Sequence, residues 1–186
     1  MTLAVHVLEK MHRRSLAADV ALILAGSLLI AGSAQVRFYL PNTPVPITLQ
    51  TLAVLLIGAA YGSWRGMAAV VTYLAAGSLG LPFFAGLKGG VIALLGPTGG
   101  YLAGFVLAAG LVGWLAEHKF DRTVAGALPM FLGGQLVIYL CGVLWLAQFV
   151  GGFAPAAATG ILPFLAGDLV KISFAMLALP LVRRWI

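Results

Sequence analysis

The sequence predicts an all-α integral membrane protein, a six-transmembrane-helix bundle with its N- and C-termini on the cytoplasmic side. Three observations lead there. Of 186 residues, 62% are hydrophobic and only 9% are charged, whereas a soluble domain carries about 25% charged residues. Apolar stretches recur at approximately 16–36, 47–61, 66–79, 98–116, 126–150 and 160–182, parted by short polar or Pro- and Gly-rich segments. With six spans, Lys10, Arg13, Arg14, Arg65, Lys119, Arg122, Arg183 and Arg184 share one side and Arg37 and Lys88 the other, which by the positive-inside rule makes both termini cytoplasmic. The polar segments are too short for a soluble head, so 1–186 reads as one transmembrane domain. The net charge of +6 is spread between apolar stretches and marks topology, not a basic patch for nucleic acid.

The elements follow in order. The first apolar run is longer than the hydrophobic region of a signal peptide and contains Asp19, so it reads as a span despite the small-residue stretch at 31–35. Prolines 41, 44 and 46 then remove backbone donors and forbid a continuous helix. Between the second and third spans, Gly62-Ser-Trp-Arg-Gly66 supplies a breaker, an interfacial aromatic and a cation. Segment 81–97 is apolar but punctuated by Pro82, Gly86, Gly89, Gly90, Gly96 and Pro97, and irregular backbone at membrane depth is tolerated only against protein or a watery cavity. A polar loop at 117–122 precedes the fifth span, and a short neutral connection at 151–159 leads into the sixth. Cys141, the single cysteine, excludes an intrachain disulfide and reads as a buried structural thiol.

The last span carries the chemistry. Asp168 and Lys171 interrupt an otherwise apolar helix, and an ionised group at bilayer depth costs roughly 2.5–3.5 kcal/mol on insertion scales. At i and i+3 they share a face and partly neutralise each other. That pairing explains how the helix inserts but not why two leucines do not stand there, so a ligand-contacting role in a pocket wall is the sharper reading. An intramembrane serine protease fails because His6, His12 and His118 lie near the terminus or in a cytoplasmic loop. A metal site fails for want of a His, Cys and carboxylate cluster, and no phosphate loop is present. Transport and solute binding, a channel, or structural packing survive, and the few scattered polar residues do not make a channel's stripe.

Five pieces of sequence carry a resemblance: Pro44-Val-Pro-Ile-Thr-Leu-Gln-Thr51, Gly80-Leu-Pro-Phe-Phe84, Lys88-Gly-Gly90, Gly96-Pro-Thr-Gly-Gly-Tyr101 and Gly167-Asp-Leu-Val-Lys171. In this order they resemble the signature of the BioY family, biotin-binding S-components of energy-coupling-factor (ECF) transporters. The resemblance spans nearly the whole chain. It implies a non-enzymatic subunit without cofactors, sited in a prokaryotic cell membrane. Such a subunit captures biotin from outside and docks on a module of transmembrane coupling and ATPase subunits. Leu102 departs from relatives that carry a basic residue there, which leaves open the partner of the biotin carboxylate.

The resemblance suggests roles. Asp168 accepts a ureido N–H while Lys171 donates to a ligand oxygen, so that the ligand satisfies both charges. Gln50 contacts the ligand or bonds another helix. Lys88 captures the carboxylate or snorkels at the surface. Tyr101 stacks on the bicycle or sits in the interfacial belt, and Phe83 and Phe84 form an apolar lid or face lipid. Gln135 and Tyr139, one turn apart, are expected to bond each other. Ala17, Ala21 and Ala25 form a small-residue stripe that fits docking of the coupling subunit or internal packing. The alternative function is a proton-coupled secondary transporter of another small solute with Asp168 as its carboxylate, and a ligand-free structural subunit is a third.

Overall fold

The computed structural model describes residues 16–41 and 43–184, with side chains to 177 and at 179. Lys10, Arg13, Arg14 and the side chains of Arg183 and Arg184, used above to assign topology, lie outside the described residues.

Helix α1, Leu16–Gln35, is followed by a two-residue antiparallel ribbon, β1 Arg37–Phe38 and β2 Ile47–Thr48, in which Arg37 pairs with Thr48 and Phe38 with Ile47. The Pro-rich segment between the strands is therefore a hairpin end, which uses up the backbone groups that flank it. Helices α2, Gln50–Tyr61, and α3, Ser63–Ser78, are parted by Gly62 alone, at φ 85, a left-handed conformation natural to glycine. The chain turns back at once. After an irregular stretch holding the short α4, Val91–Leu95, come α5, Gly99–Glu117, a 3-10 turn at Phe120–Arg122, and α6, Val124–Leu146. Helices α7, Phe153–Gly160, and α8, Leu162–Arg184, close the described chain.

Among the described residues, α1, α5 and α6 are long and apolar enough to cross a membrane, and the bent pair α7–α8 brings the total to four. Helix α2 has 12 residues, about 18 Å of rise, well short of a hydrocarbon core of roughly 30 Å. Two expected boundaries need correction. The fifth span ends at Leu146 rather than 150. The neutral connection at 151–159 is largely helix α7. Pro155 sits in its first turn, where a missing N–H does no harm, and alanines continue it. Pro163 then cannot donate back to the carbonyl of residue 159, and the two helices meet at a bend of 43°.

Tight packing follows from small residues. A Cβ at Gly58 would lie 3.0 Å from Ala109 Cα of α5, and one at Gly66 would lie 3.0 Å from Gly58 Cα. With no hydrophobic drive between helices in lipid, such close backbone approach gives the van der Waals contact that holds them. Ile30, Val54, Tyr73, Val112, Phe131, Ile138 and Leu146 are buried at the centre, while Leu28, Leu107, Leu140, Leu144 and Phe174 project outward. Helices apolar all round are what lipid on one side and protein on the other demand. Cys141 is half-buried rather than fully buried as expected, with its Cβ packed beside Gly104 of α5.

Hydrogen bonds fix which ends meet. At one end, Arg65 Nε donates to Asp19 Oδ1 at 2.8 Å, joining α3 to α1. There too the Glu117 carboxylate accepts from Ser63 N at 2.8 Å and Oγ at 3.0 Å, joining α5 to the start of α3. At the other end, Gln35 Nε2 donates to the carbonyls of Phe83 (3.3 Å) and Phe84 (3.2 Å), its Oε1 accepts from Leu87 N at 3.1 Å, and Trp145 Nε1 donates to Gly96 O at 2.9 Å. The irregular 79–98 segment is thus pinned to α1 and α6.

Candidate functional site

A cavity of about 460 Å³ opens at the Gln35 and Trp145 end. The β1–β2 hairpin, the start of α2, segment 84–98, the start of α5 and the first turns of α8 form its wall. Its size lies within the roughly 300–1,000 Å³ typical of small-molecule sites. Asp168, Lys171, Gln50, Lys88, Tyr101 and Phe84 all line it, as do Thr48, Thr51, Tyr73, Leu102, Tyr139 and Phe164. Segment 84–98 contributes because its glycines let the backbone turn inward: Gly86 and Gly90 have φ of 85 and 93, and even Leu87 is left-handed at φ 57.

The charged pair is deeply set. Asp168 is 3% exposed, and Lys171 Nζ lies 2.7 Å from Asp168 Oδ1. The carboxylate also accepts from Thr51 Oγ1 at 3.2 Å on Oδ1, and from Gln135 Nε2 at 2.8 Å and Tyr139 OH at 2.7 Å on Oδ2. Lys171 donates further to Thr48 O at 2.7 Å and Thr51 Oγ1 at 3.2 Å. A carboxylate offers about four acceptor sites and an ammonium three donors, so both groups are saturated by protein. Gln135 and Tyr139 interact with each other as expected, and both also converge on Asp168 from α6, because their i, i+4 spacing presents both at the depth of the carboxylate. One expectation is corrected: the buried charges do not wait for a ligand to satisfy them, so a ligand that binds here exchanges with an existing partner.

The other residues divide. Gln50, 4% exposed, donates through Nε2 to Tyr73 OH at 2.7 Å, an α2–α3 bond made from the cavity wall. Tyr101 donates its hydroxyl to Gly160 O at 2.8 Å and turns its buried ring to the cavity rather than to an interfacial belt. Lys88 is exposed at the mouth, and among the described residues no hydrogen bond or ion pair engages its ammonium. Phe84 closes edge-on against Tyr73 with ring centroids 5.6 Å apart, while Phe83 stacks on the same ring at 6.4 Å behind the wall. Phe84 is buried and Phe83 only partly so. Ala17, Ala21 and Ala25 form one exposed face of α1 toward the opposite end of the molecule. Leu102 adds apolar surface to the cavity. Among the described residues no group of three or more His, Cys, Asp or Glu side chains gathers where a metal could sit.

Sequence reasoning missed Thr48, Thr51 and Tyr73. Thr51 lies one position past Gln50 in an already distinctive stretch, but a threonine in an apolar helix carries no charge to draw attention.

Known proteins share the sequence and the fold of this chain. The chain is 43% identical over 138 residues to the biotin transporter BioY of Thermotoga maritima, covering 74% of this chain and 80% of that protein. It is 39% identical over 161 residues to the probable biotin transporter BioY of Pyrococcus horikoshii, covering 87% and 93%. Its fold matches a crystal structure of the S-component for biotin from an ECF-type ABC transporter, with a TM-score of 0.81 at 23% identity over 92% of this chain and 95% of the other. The model of the BioY family matches residues 7–186, and the chain belongs to that family.

Proposed function

We propose that this chain is the biotin-binding subunit of an ECF-type transporter in a prokaryotic cell membrane. It crosses the membrane six times, with both termini cytoplasmic, and opens its cavity to the outside. The observation that carries the reading is the charged, hydrogen-bonded cluster around Asp168 and Lys171 in the wall of an otherwise apolar cavity of about 460 Å³. Biotin presents a ureido ring with two N–H donors and a carbonyl, a thioether ring of apolar surface, and a valerate carboxylate. The cluster offers the ureido group an acceptor and a donor side by side. Gln50 adds an amide beside it, and the Tyr101 ring and Phe84 flank the bicycle, with Phe83 backing the lid. Lys88 at the mouth suits the carboxylate, a place that Leu102 cannot fill.

A preorganised polar cluster in a largely apolar cavity favours tight capture, and release then needs work. The likeness to an ECF-type S-component supports giving that work to ATPase subunits acting through a transmembrane coupling subunit, for which the exposed Ala17, Ala21 and Ala25 face of α1 is the docking surface; without such a module the chain is a binder or a slow facilitator. The biotin reading is tested by calorimetric titration of biotin into the detergent-purified protein, beside Asp168→Asn and Lys171→Ala variants checked for folding. Stoichiometric binding by the wild type that both variants lose is expected. No heat, and no competition with labelled biotin, overturns it.

A further inference from the structure

The saturation of Asp168 and Lys171 raises the question of which partner a ligand displaces. Of the bonds in the cluster, those from Lys171 to Asp168 and Thr48 and from Tyr139 and Gln135 to Asp168 are 2.7–2.8 Å. The two made by the Thr51 hydroxyl are both 3.2 Å. For an O–H donor to a carboxylate that is long, since such bonds ordinarily run 2.5–3.0 Å and shorten with charge. Thr51 is also the one member that both donates to Asp168 and accepts from Lys171. Its single oxygen does what the N–H and adjacent carbonyl of a urea or amide do on neighbouring atoms. It is half-buried and faces the cavity, so an incoming group can replace it without breaching the bundle.

We propose that the Thr51 hydroxyl holds, in the free protein, the place that the ligand's urea unit takes on binding, so that Thr51 sets affinity by competing with the ligand. The proposal rests on the reading of Asp168 and Lys171 as ligand contacts. The hydroxyl keeps both buried charges satisfied while the cavity is empty, and its weak geometry makes it the partner that exchanges. Removing it destabilises the empty cluster while leaving the occupied one intact, which strengthens binding.

The test is calorimetric titration of biotin into the detergent-purified full chain carrying Thr51→Val, an isosteric change without the hydroxyl, beside the wild type and Asp168→Asn. The expected result is a dissociation constant lowered about 3- to 10-fold in Thr51→Val, the worth of one or two weak hydrogen bonds, while Asp168→Asn loses binding. An unchanged or raised dissociation constant in Thr51→Val, with Asp168→Asn still inactive, overturns the competition and leaves the reading of the charged pair standing. Undiminished binding by Asp168→Asn overturns both. Melting temperatures of Thr51→Val and Thr51→Ala guard against a folding artefact. Each is expected to start below the wild type without biotin and to gain more from saturating biotin than the wild type does. An equal or smaller gain contradicts the proposal.

Discussion

Asp168 is the residue on which most of the site depends, and its partners are of unequal worth. Tyr139→Phe keeps the ring and removes one 2.7 Å hydrogen bond to Oδ2, while Gln135 at 2.8 Å remains on the same oxygen. Loss of a bond to a charged group costs about 1–2 kcal/mol in this setting, and the melting temperature of the detergent-solubilised protein should fall by a few degrees. Lys171→Met is a different change. It strips the countercharge from a carboxylate that is 3% exposed, and breaking a buried pair from one side costs about 3–5 kcal/mol. The fall in melting temperature should be at least twice that of Tyr139→Phe, and equal falls would mean that the ion pair contributes no more than a neutral hydrogen bond. Asp168 and Lys171 were legible in the sequence because a charge in an apolar run is expensive and has to be explained. Gln135 and Tyr139 were legible only as a pair that bond each other, and Thr51 not at all as a site residue, since a neutral polar group in a membrane helix can find a partner in many places and only their meeting at Asp168 across three helices reveals what they do.

Among the helices, the positions were legible and the contacts were not. Apolar length marked helices near α1, α5, α6 and α8, and the break between α2 and α3 was marked as Gly62-Ser-Trp-Arg-Gly66, of which only Gly62 lies outside a helix because α3 already begins at Ser63. Hydropathy said nothing about Pro163, whose missing N–H bends α7 against α8, because the bend leaves composition unchanged. Nor did it say which glycines touch a neighbour. A Cβ at Gly58 would meet the backbone of Ala109, with Cα at 3.0 Å and the carbonyl closer still, whereas a Cβ at Gly32 meets nothing within 4 Å. Gly58→Val should therefore force α2 from α5, a cost of about 1–3 kcal/mol or more, and reduce the yield of monodisperse protein by size-exclusion chromatography. Gly32→Ala should be neutral or slightly stabilising, because alanine is the better helix former. A well-behaved Gly58→Val would show that the α2–α5 approach is not what holds the bundle together. At the same scale, the Glu117 carboxylate caps α3 through Ser63 N at 2.8 Å, and Glu117→Ala should lower stability by about 1 kcal/mol, read as a shift in thermal unfolding.

Across the whole molecule, the two proposed tasks sit at opposite ends of one helix. The Ala17, Ala21 and Ala25 face of α1 lies near its start, and Gln35 at its end grips Phe83, Phe84 and Leu87 of the segment that walls the cavity. Fourteen residues of helix separate Ala21 from Gln35, about 21 Å at 1.5 Å per residue, so the two sites can be broken separately. Ala21→Trp should block close approach of a coupling subunit and abolish co-purification with the module while biotin still binds. Gln35→Ala should do the reverse. It removes the donor to Phe83 and Phe84 and the acceptor for Leu87 N that together fix the 83–88 turn, in which Leu87 is left-handed at φ 57, so biotin should dissociate several-fold faster while the subunit still assembles. The pair of variants distinguishes separate sites from general damage: stopped-flow release measures the first loss and affinity co-purification the second. If Ala21→Trp also accelerates release with its fold intact, α1 transmits strain from one end to the other and docking and capture are a single coupled equilibrium. If each variant loses only its own function, the helix is a rigid strut, and docking and capture are independent, with opening of the cavity left to the segment that Gln35 holds.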